Sequence, residues 1–166
     1  MRRLFPLALA AVLSAVACAK PAANGGASTA AAPTAAAAPA GNACDRKLVT
    51  AADVAPLLDE AISGEKTIPG DAQSCEFVTA GFSSVHISMR PGLGNATVAQ
   101  VKSGATNQTV TPLAGVGDSA VWDPTLKQVD ATKNDLLCEV GAIGPATRSA
   151  TPDKIGALCN KIFAAN

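Results

Sequence analysis

Sulfur carries most of the chemistry this sequence can offer. Cysteines stand at positions 18, 44, 75, 138 and 159, and His86 is the single histidine. A thiol can be acylated, can pair into a disulfide, or as a thiolate can hold a soft metal. No Cys-x-x-Cys occurs, so a four-thiol centre lacks the close ligand pair such sites use, and neither a metal nor a cofactor is expected. His86 is the sole imidazole for acid–base work. A Ser/His/Asp set can be drawn from Ser83 or Ser88, His86 and Asp118, but the Gly-x-Ser-x-Gly turn that would expose a nucleophilic serine is absent. Flanked by Ser84 and Ser88 in an alternating stretch, His86 reads as a solvated strand residue, and no catalytic residue is expected. Gly115-Val116-Gly117-Asp118 lacks the third glycine and the lysine of the phosphate-cradling loops, and reads as a tight turn presenting Asp118. Trp122, the lone tryptophan, precedes Asp123-Pro124, where an aromatic anchor is useful. Core packing is the competing role for Trp122. Trp122, with Phe82 or Phe77 as a groove partner, and Asp118 are therefore the candidates for ligand or partner contact. Asp59, Glu60 and Glu65, and likewise Asp123, Asp130 and Asp135, read as solvated acidic faces.

The elements that must position these residues begin after a segment with a different purpose. Arg2 and Arg3 precede an uncharged run from Leu4 to Ala17, rich in Leu, Val and Ala, that ends in small residues before Cys18. A basic start, an apolar centre and a small-residue cleavage site are the parts of an export signal. As a helix the run would span roughly 21 Å, short of a hydrocarbon core, so a permanent transmembrane anchor is not expected. Leu13-Ser14-Ala15-Val16-Ala17-Cys18 resembles the bacterial lipobox, with Ala15 where that pattern usually has Leu. The resemblance implies cleavage before Cys18 and a diacylglycerol on its thiol. An ordinary signal, cut after Ala15-Val16-Ala17, is the alternative, and it too predicts export. Each buried acyl methylene adds about 0.8 kcal/mol of membrane affinity, so the lipid alone would anchor the protein. Ala19 in place of Asp after the cysteine implies the outer membrane, facing the periplasm, in a diderm cell; in a monoderm it implies the outer face of the plasma membrane.

Residues 18–43 continue as an Ala/Pro/Gly-rich stretch with Lys20 its only charge. Such a composition cannot bury enough apolar surface to offset the entropy of ordering. It reads as a disordered tether with a root-mean-square reach of roughly 25–30 Å. Residues 44–166 then form a single globular domain with ten basic and thirteen acidic residues, a net charge of −3. With no basic cluster and few aromatics, nucleic acid is excluded as a partner class. Four cysteines remain once Cys18 is assigned to lipid, and three pairings can be drawn. Cys44 with Cys75 and Cys138 with Cys159 is the favoured set, tying the domain's start to its first strand and a late strand to the last helix.

A first helix is expected from Val54 to Ile62, closed by Gly64, with Asp53 as its cap so that Pro56 falls in the first turn. Cys75–Val78 and Ser84–Arg90 read as strands, the second alternating Val85, Ile87 and Met89 against His86, Ser88 and Arg90. Asn95 should cap a short helix holding Val98 and Val101 and ending near Gly104. Residues 120–122, 126–131 and 136–143 read as a three-stranded meander. Thr151-Pro152-Asp153 opens the clearest helix, its stripe being Ile155, Leu158, Cys159, Ile162 and Phe163. The sum is an α+β two-layer sandwich: an antiparallel sheet of about five strands with two to three helices packed on it, stapled by disulfides. A helix between Cys44 and Cys75-Glu76-Phe77, followed by Gly115-Val116-Gly117-Asp118-Ser119-Ala120-Val121-Trp122, resembles a class of small bacterial lipoprotein domains of unknown function, common in actinobacteria. That resemblance implies fold and address and carries no catalytic residues. The expected role is a non-catalytic binding or interaction domain in the cell envelope, held to the membrane by lipid and contacting an envelope protein or small ligand. A hydrophobic-ligand carrier, or a hydrolase using His86, are the alternatives.

Overall fold

The structure, a computed structural model, describes residues 41–104 and 109–166. The export signal, Cys18 and the tether lie outside the described residues. Seven strands form one open antiparallel sheet in the order β1-β2-β3-β7-β6-β5-β4. They are β1 (Ile62–Ile68), β2 (Asp71–Thr79), β3 (Ser84–Pro91), β4 (Thr111–Pro112), β5 (Ser119–Asp123), β6 (Gln128–Lys133) and β7 (Leu136–Ile143). Three helices accompany them: α1 (Ala51–Val54, continued as a 3-10 turn over Ala55–Leu57), α2 (Gly94–Lys102) and α3 (Pro152–Ala164).

Alternation along the strands sorts the sheet into two faces. Cys75, Phe77, Val85, Ile87, Met89, Val129, Ala131, Cys138, Val140 and Ala142 point to one face, where they form the main core with Val54, Leu57 and the stripe of α3. That stripe is the expected one: Ile155, Leu158, Cys159, Ile162 and Phe163 are all buried. The disulfides Cys44–Cys75 and Cys138–Cys159 lie inside this layer, in the pairing expected from the cysteines' positions. Thr151 is the residue before α3 and Pro152 its first, where a missing N–H costs nothing.

Four expectations change. The sheet has seven strands rather than about five, because β1 and the two-residue β4 add an edge on each side. β1 reads Ile62-Ser-Gly-Glu-Lys-Thr-Ile68 and is exposed or half-exposed throughout, so it shows no apolar alternation. The first helix is much shorter than expected. Thr50, not Asp53, precedes it, and the Asp53 carboxylate accepts from the Thr50 N–H at 2.8 Å and from its hydroxyl at 2.7 Å. Pro56 then tightens the chain into 3-10 geometry, and Ile62 already belongs to β1. Finally, α2 lies on the opposite face from α1 and α3. It packs on β5, β6 and β7, and its Asn95 side chain accepts from the Thr132 hydroxyl at 3.2 Å, Thr132 alternating with core-facing Ala131. Half of the second face is thus covered and the architecture is three-layered at that end. Leu93, not Asn95, precedes α2. The N–H of Asn95 is capped from across the sheet by the Asp135 carboxylate at 2.8 Å.

Candidate binding site

The uncovered half of the second face belongs to β1, β2, β3 and the end of β7. Register fixes its rows. Gly64, Val78, Ser84 and Ile143 stand side by side; the next row is Lys66, Glu76, His86, Gly141 and Gln128. A further row runs Ser74, Ser88, Glu139 and Asp130.

At one end of these rows the β2–β3 hairpin closes through Ala80-Gly81-Phe82-Ser83. Thr79 N–H donates to the Ser83 carbonyl at 2.8 Å, and Ser83 N–H to the Thr79 hydroxyl at 3.1 Å. Phe82 sits in the left-handed region, φ 63°, and is 93% exposed. That conformation costs a side-chain-bearing residue roughly 1–2 kcal/mol, and here no burial repays it. The surroundings hold it in place. Ser83 Oγ accepts from Ala146 N–H at 2.9 Å. Gly144, at φ +106°, lies so close that a Cβ there would come within 2.7 Å of Ser83 Cα. Lys127 Nζ donates to the Thr147 carbonyl at 2.8 Å and the Ser149 hydroxyl donates to the Asp59 carboxylate at 2.6 Å, joining four loops into one scaffold. The Ser149 hydroxyl, chief among its partners, holds the Asp59 carboxyl below the usual range.

Two clefts open on this end. One, about 480 Å³, is lined by Phe82, Val78 and Ser84 of the hairpin, by Glu76, and by Ser63 and Lys66 of β1. The other, about 340 Å³, is lined by Leu126, Ile143 and Thr147. Ser84 and Ile143 are register partners, so the clefts share a border. Phe82, Leu126 and Ile143 are three of the four large apolar side chains left exposed among the described residues. The chain enters the domain elsewhere. Gly41 lies beside the Arg46 side chain, whose guanidinium donates to Asn166 Oδ1, past the far end of α3, at 2.7 Å. With α3 spanning about 20 Å, the entry of the chain and the Phe82 end lie at opposite ends of that helix.

No protein family, curated protein or solved structure matches the chain. The site is therefore defined by its own geometry.

That geometry separates the residues singled out in the sequence. His86 is half-buried on the open face between Glu76 and Gly141. Asp118 is remote: its N–H donates to the Thr132 carbonyl at 2.7 Å and its carboxylate accepts from Asn134 N–H at 2.9 Å, beside the β6–β7 turn. About five residues of β7, some 17 Å at 3.4 Å each, separate that turn from His86. Ser83 serves the hairpin tip, and Ser88 Oγ accepts from Arg90 Nε at 3.0 Å. The Ser/His/Asp set is not assembled. The Gly115–Gly117 turn is gripped by Asn160 of α3, which donates to the Gly115 carbonyl at 2.8 Å and accepts from Gly117 N–H at 3.1 Å. Trp122 packs against the main core on the face covered by α3. It lies four strands from β2, about 19 Å away, and shares no groove with Phe77 or Phe82.

Two acidic residues read as solvated are buried. Asp123 is 2% exposed and Asp130 4%. Asp123 Oδ1 accepts from the N–H groups of Thr125 and Leu126 at 2.7 and 3.0 Å, shaping the β5–β6 loop, while its Oδ2 has no partner among the described residues. Burial pushes the Asp130 carboxyl up to about 6, with the Glu139 and Asp123 carboxylates adding to the rise and a hydrogen bond from Gln128 Nε2 at 2.7 Å opposing it. Among the described residues no three His, Cys, Asp or Glu are gathered closely enough to hold one metal ion, and no helix is long and apolar enough to cross a membrane.

Proposed function

We propose that this protein is an exported lipoprotein, acylated at Cys18, whose disulfide-bonded domain is a non-catalytic binding module of the cell envelope. It contacts its target through the end of the sheet that carries Phe82, Leu126 and Ile143. The observation that carries this reading is the collection of these three exposed apolar side chains on one braced end, at the far end of α3 from the point where the chain enters. Contiguous apolar exposure marks an interaction surface more often than chance. Two disulfides fit an oxidising compartment, and the lipobox-like segment supplies the route there. Lipid on Cys18 would leave the domain free of any anchoring duty, in the outer membrane of a diderm or on the plasma membrane of a monoderm.

Hydroxyl-radical footprinting tests the contact surface without presuming the partner. Oxidation of Phe82, Leu126 and Ile143 should fall at least about threefold in intact envelopes relative to the purified protein, while Leu93 at the other end of the sheet stays unchanged. Equal oxidation in both settings would remove the proposed surface.

A further inference from the structure

We infer that the cleft beside Phe82 is a carbohydrate site, taking an uncharged hexose or N-acetylhexosamine chain. The inference rests on the binding-module reading and gives that module its ligand class. A pyranose ring has an apolar C–H face and a rim of hydroxyl groups, so it calls for one flat aromatic surface bordered by acceptors and donors. The cleft supplies both. Phe82 offers its ring to solvent, and Lys66, Glu76 and Ser84 line the space around it. None of these three polar side chains makes a hydrogen bond or ion pair with another described residue: the ion pairs are Arg90 with Asp71 and Glu139, and Lys161 with Asp53. A carboxylate such as that of Glu76 accepts hydrogen bonds, which suits sugar hydroxyls and the N–H of an acetamido group. The Ser63 hydroxyl donates to the Val78 carbonyl at 3.1 Å and keeps its oxygen as an acceptor. One glutamate beside one lysine leaves the cleft without a net positive charge to draw a polyanionic chain.

Two features of the backbone suit such a ligand. The first is Phe82 itself, fixed at φ 63° with its ring outside the core, a conformation that glycine or asparagine would adopt more readily. Residues held in such regions cluster at ligand clamps, and the fixed backbone sets where the ring emerges. The second is Gly64. A Cβ there would meet only Val78 Cγ2, at 3.9 Å, an ordinary contact. Side-chain packing therefore does not demand glycine here, at the register shift between Ile62 and Gly64. Its bareness keeps the cleft open between β1 and Val78. A volume of about 480 Å³ lies within the range of small-ligand clefts.

The two features give two variants that fold. Phe82→Gly relieves the backbone and removes the platform. Gly64→Leu fills the cleft from its floor. The purified protein with both disulfides intact would be titrated with N-acetylglucosamine trimer and with maltotriose, followed by saturation-transfer NMR and by resonance shifts of residues 63–66, 76–78 and 82–84. Saturable binding of at least one of the two, weakened tenfold or more by each variant while melting temperature is kept, is the expected result. Binding of neither sugar by folded wild-type protein, or binding left intact by both variants, overturns the inference. Loss of the sugar result together with footprint protection of Phe82 in envelopes would overturn this ligand class alone; loss of both would overturn the binding-module reading as well.

Discussion

At the scale of single residues, Asp130 is the position where burial and charge oppose each other most directly. Its carboxyl, 4% exposed, protonates at about 6 in the folded protein against an ordinary value of 3.8. A raised acid pKa means that between pH 4 and 6 the folded state holds a proton that the unfolded state has released. Stability therefore falls as pH rises through that window and levels off above about 6. Asp130→Asn removes the titration while keeping an acceptor for Gln128. Urea denaturation across pH 4–7 should show the substituted protein gaining stability above pH 6, by up to about 3 kcal/mol; an unchanged pH profile would contradict the assignment. Neither Asp130 nor Asp123 was legible as buried from sequence. Acidic residues are rarely buried, and these two are held by Gln128 and by the N–H groups of the β5–β6 loop, partners that the local pattern does not encode.

Among the elements, those with strong periodic burial could be read and those without it could not. The α3 stripe is buried on a helical period, and residues 136–143 form a long apolar run buried over most of its length, so the last helix and β7 lie where the sequence puts them. β1 is an exposed edge strand with Glu65, Lys66 and register shifts at both ends, features that guard edges against pairing and also erase the alternation. α2 carries a short apolar stripe, buried at Val98 and Val101, which marks a helix but does not say which face of the sheet it covers. The Phe82 cleft needs β1, β2, β3 and β7 in register, a long-range arrangement no local spacing reveals; only Phe82 itself was singled out, and for a groove with Trp122 that the strand order forbids. The capping of α2 from the β6–β7 turn gives a test at this scale. Asp135 has φ 61°, accepts from Asn95 N–H through its carboxylate and from Gly92 and Gly94 N–H through its carbonyl. Asp135→Ala should cost about 1–3 kcal/mol in thermal or urea unfolding, from a lost cap and a strained backbone, and Asp135→Asn should recover most of it. Equal losses in the two would place the effect elsewhere.

For the whole molecule, the covalent and non-covalent parts divide the work. Cys44–Cys75 and Cys138–Cys159 staple one core layer, in a domain small enough that such restraint matters. The sheet's open end is braced by loops and exposes apolar side chains, and the proposed lipid on Cys18 would hold the domain near a bilayer. Export and acylation underlie every other part of the proposed role, since they decide which ligands the Phe82 end can meet. Intact-mass analysis of the protein extracted from membranes of its host tests them most directly. The expected product begins at Cys18, carries two or three acyl chains and has no free thiol; a chain still beginning at Met1, without acyl mass and recovered from the cytosol, would contradict the account.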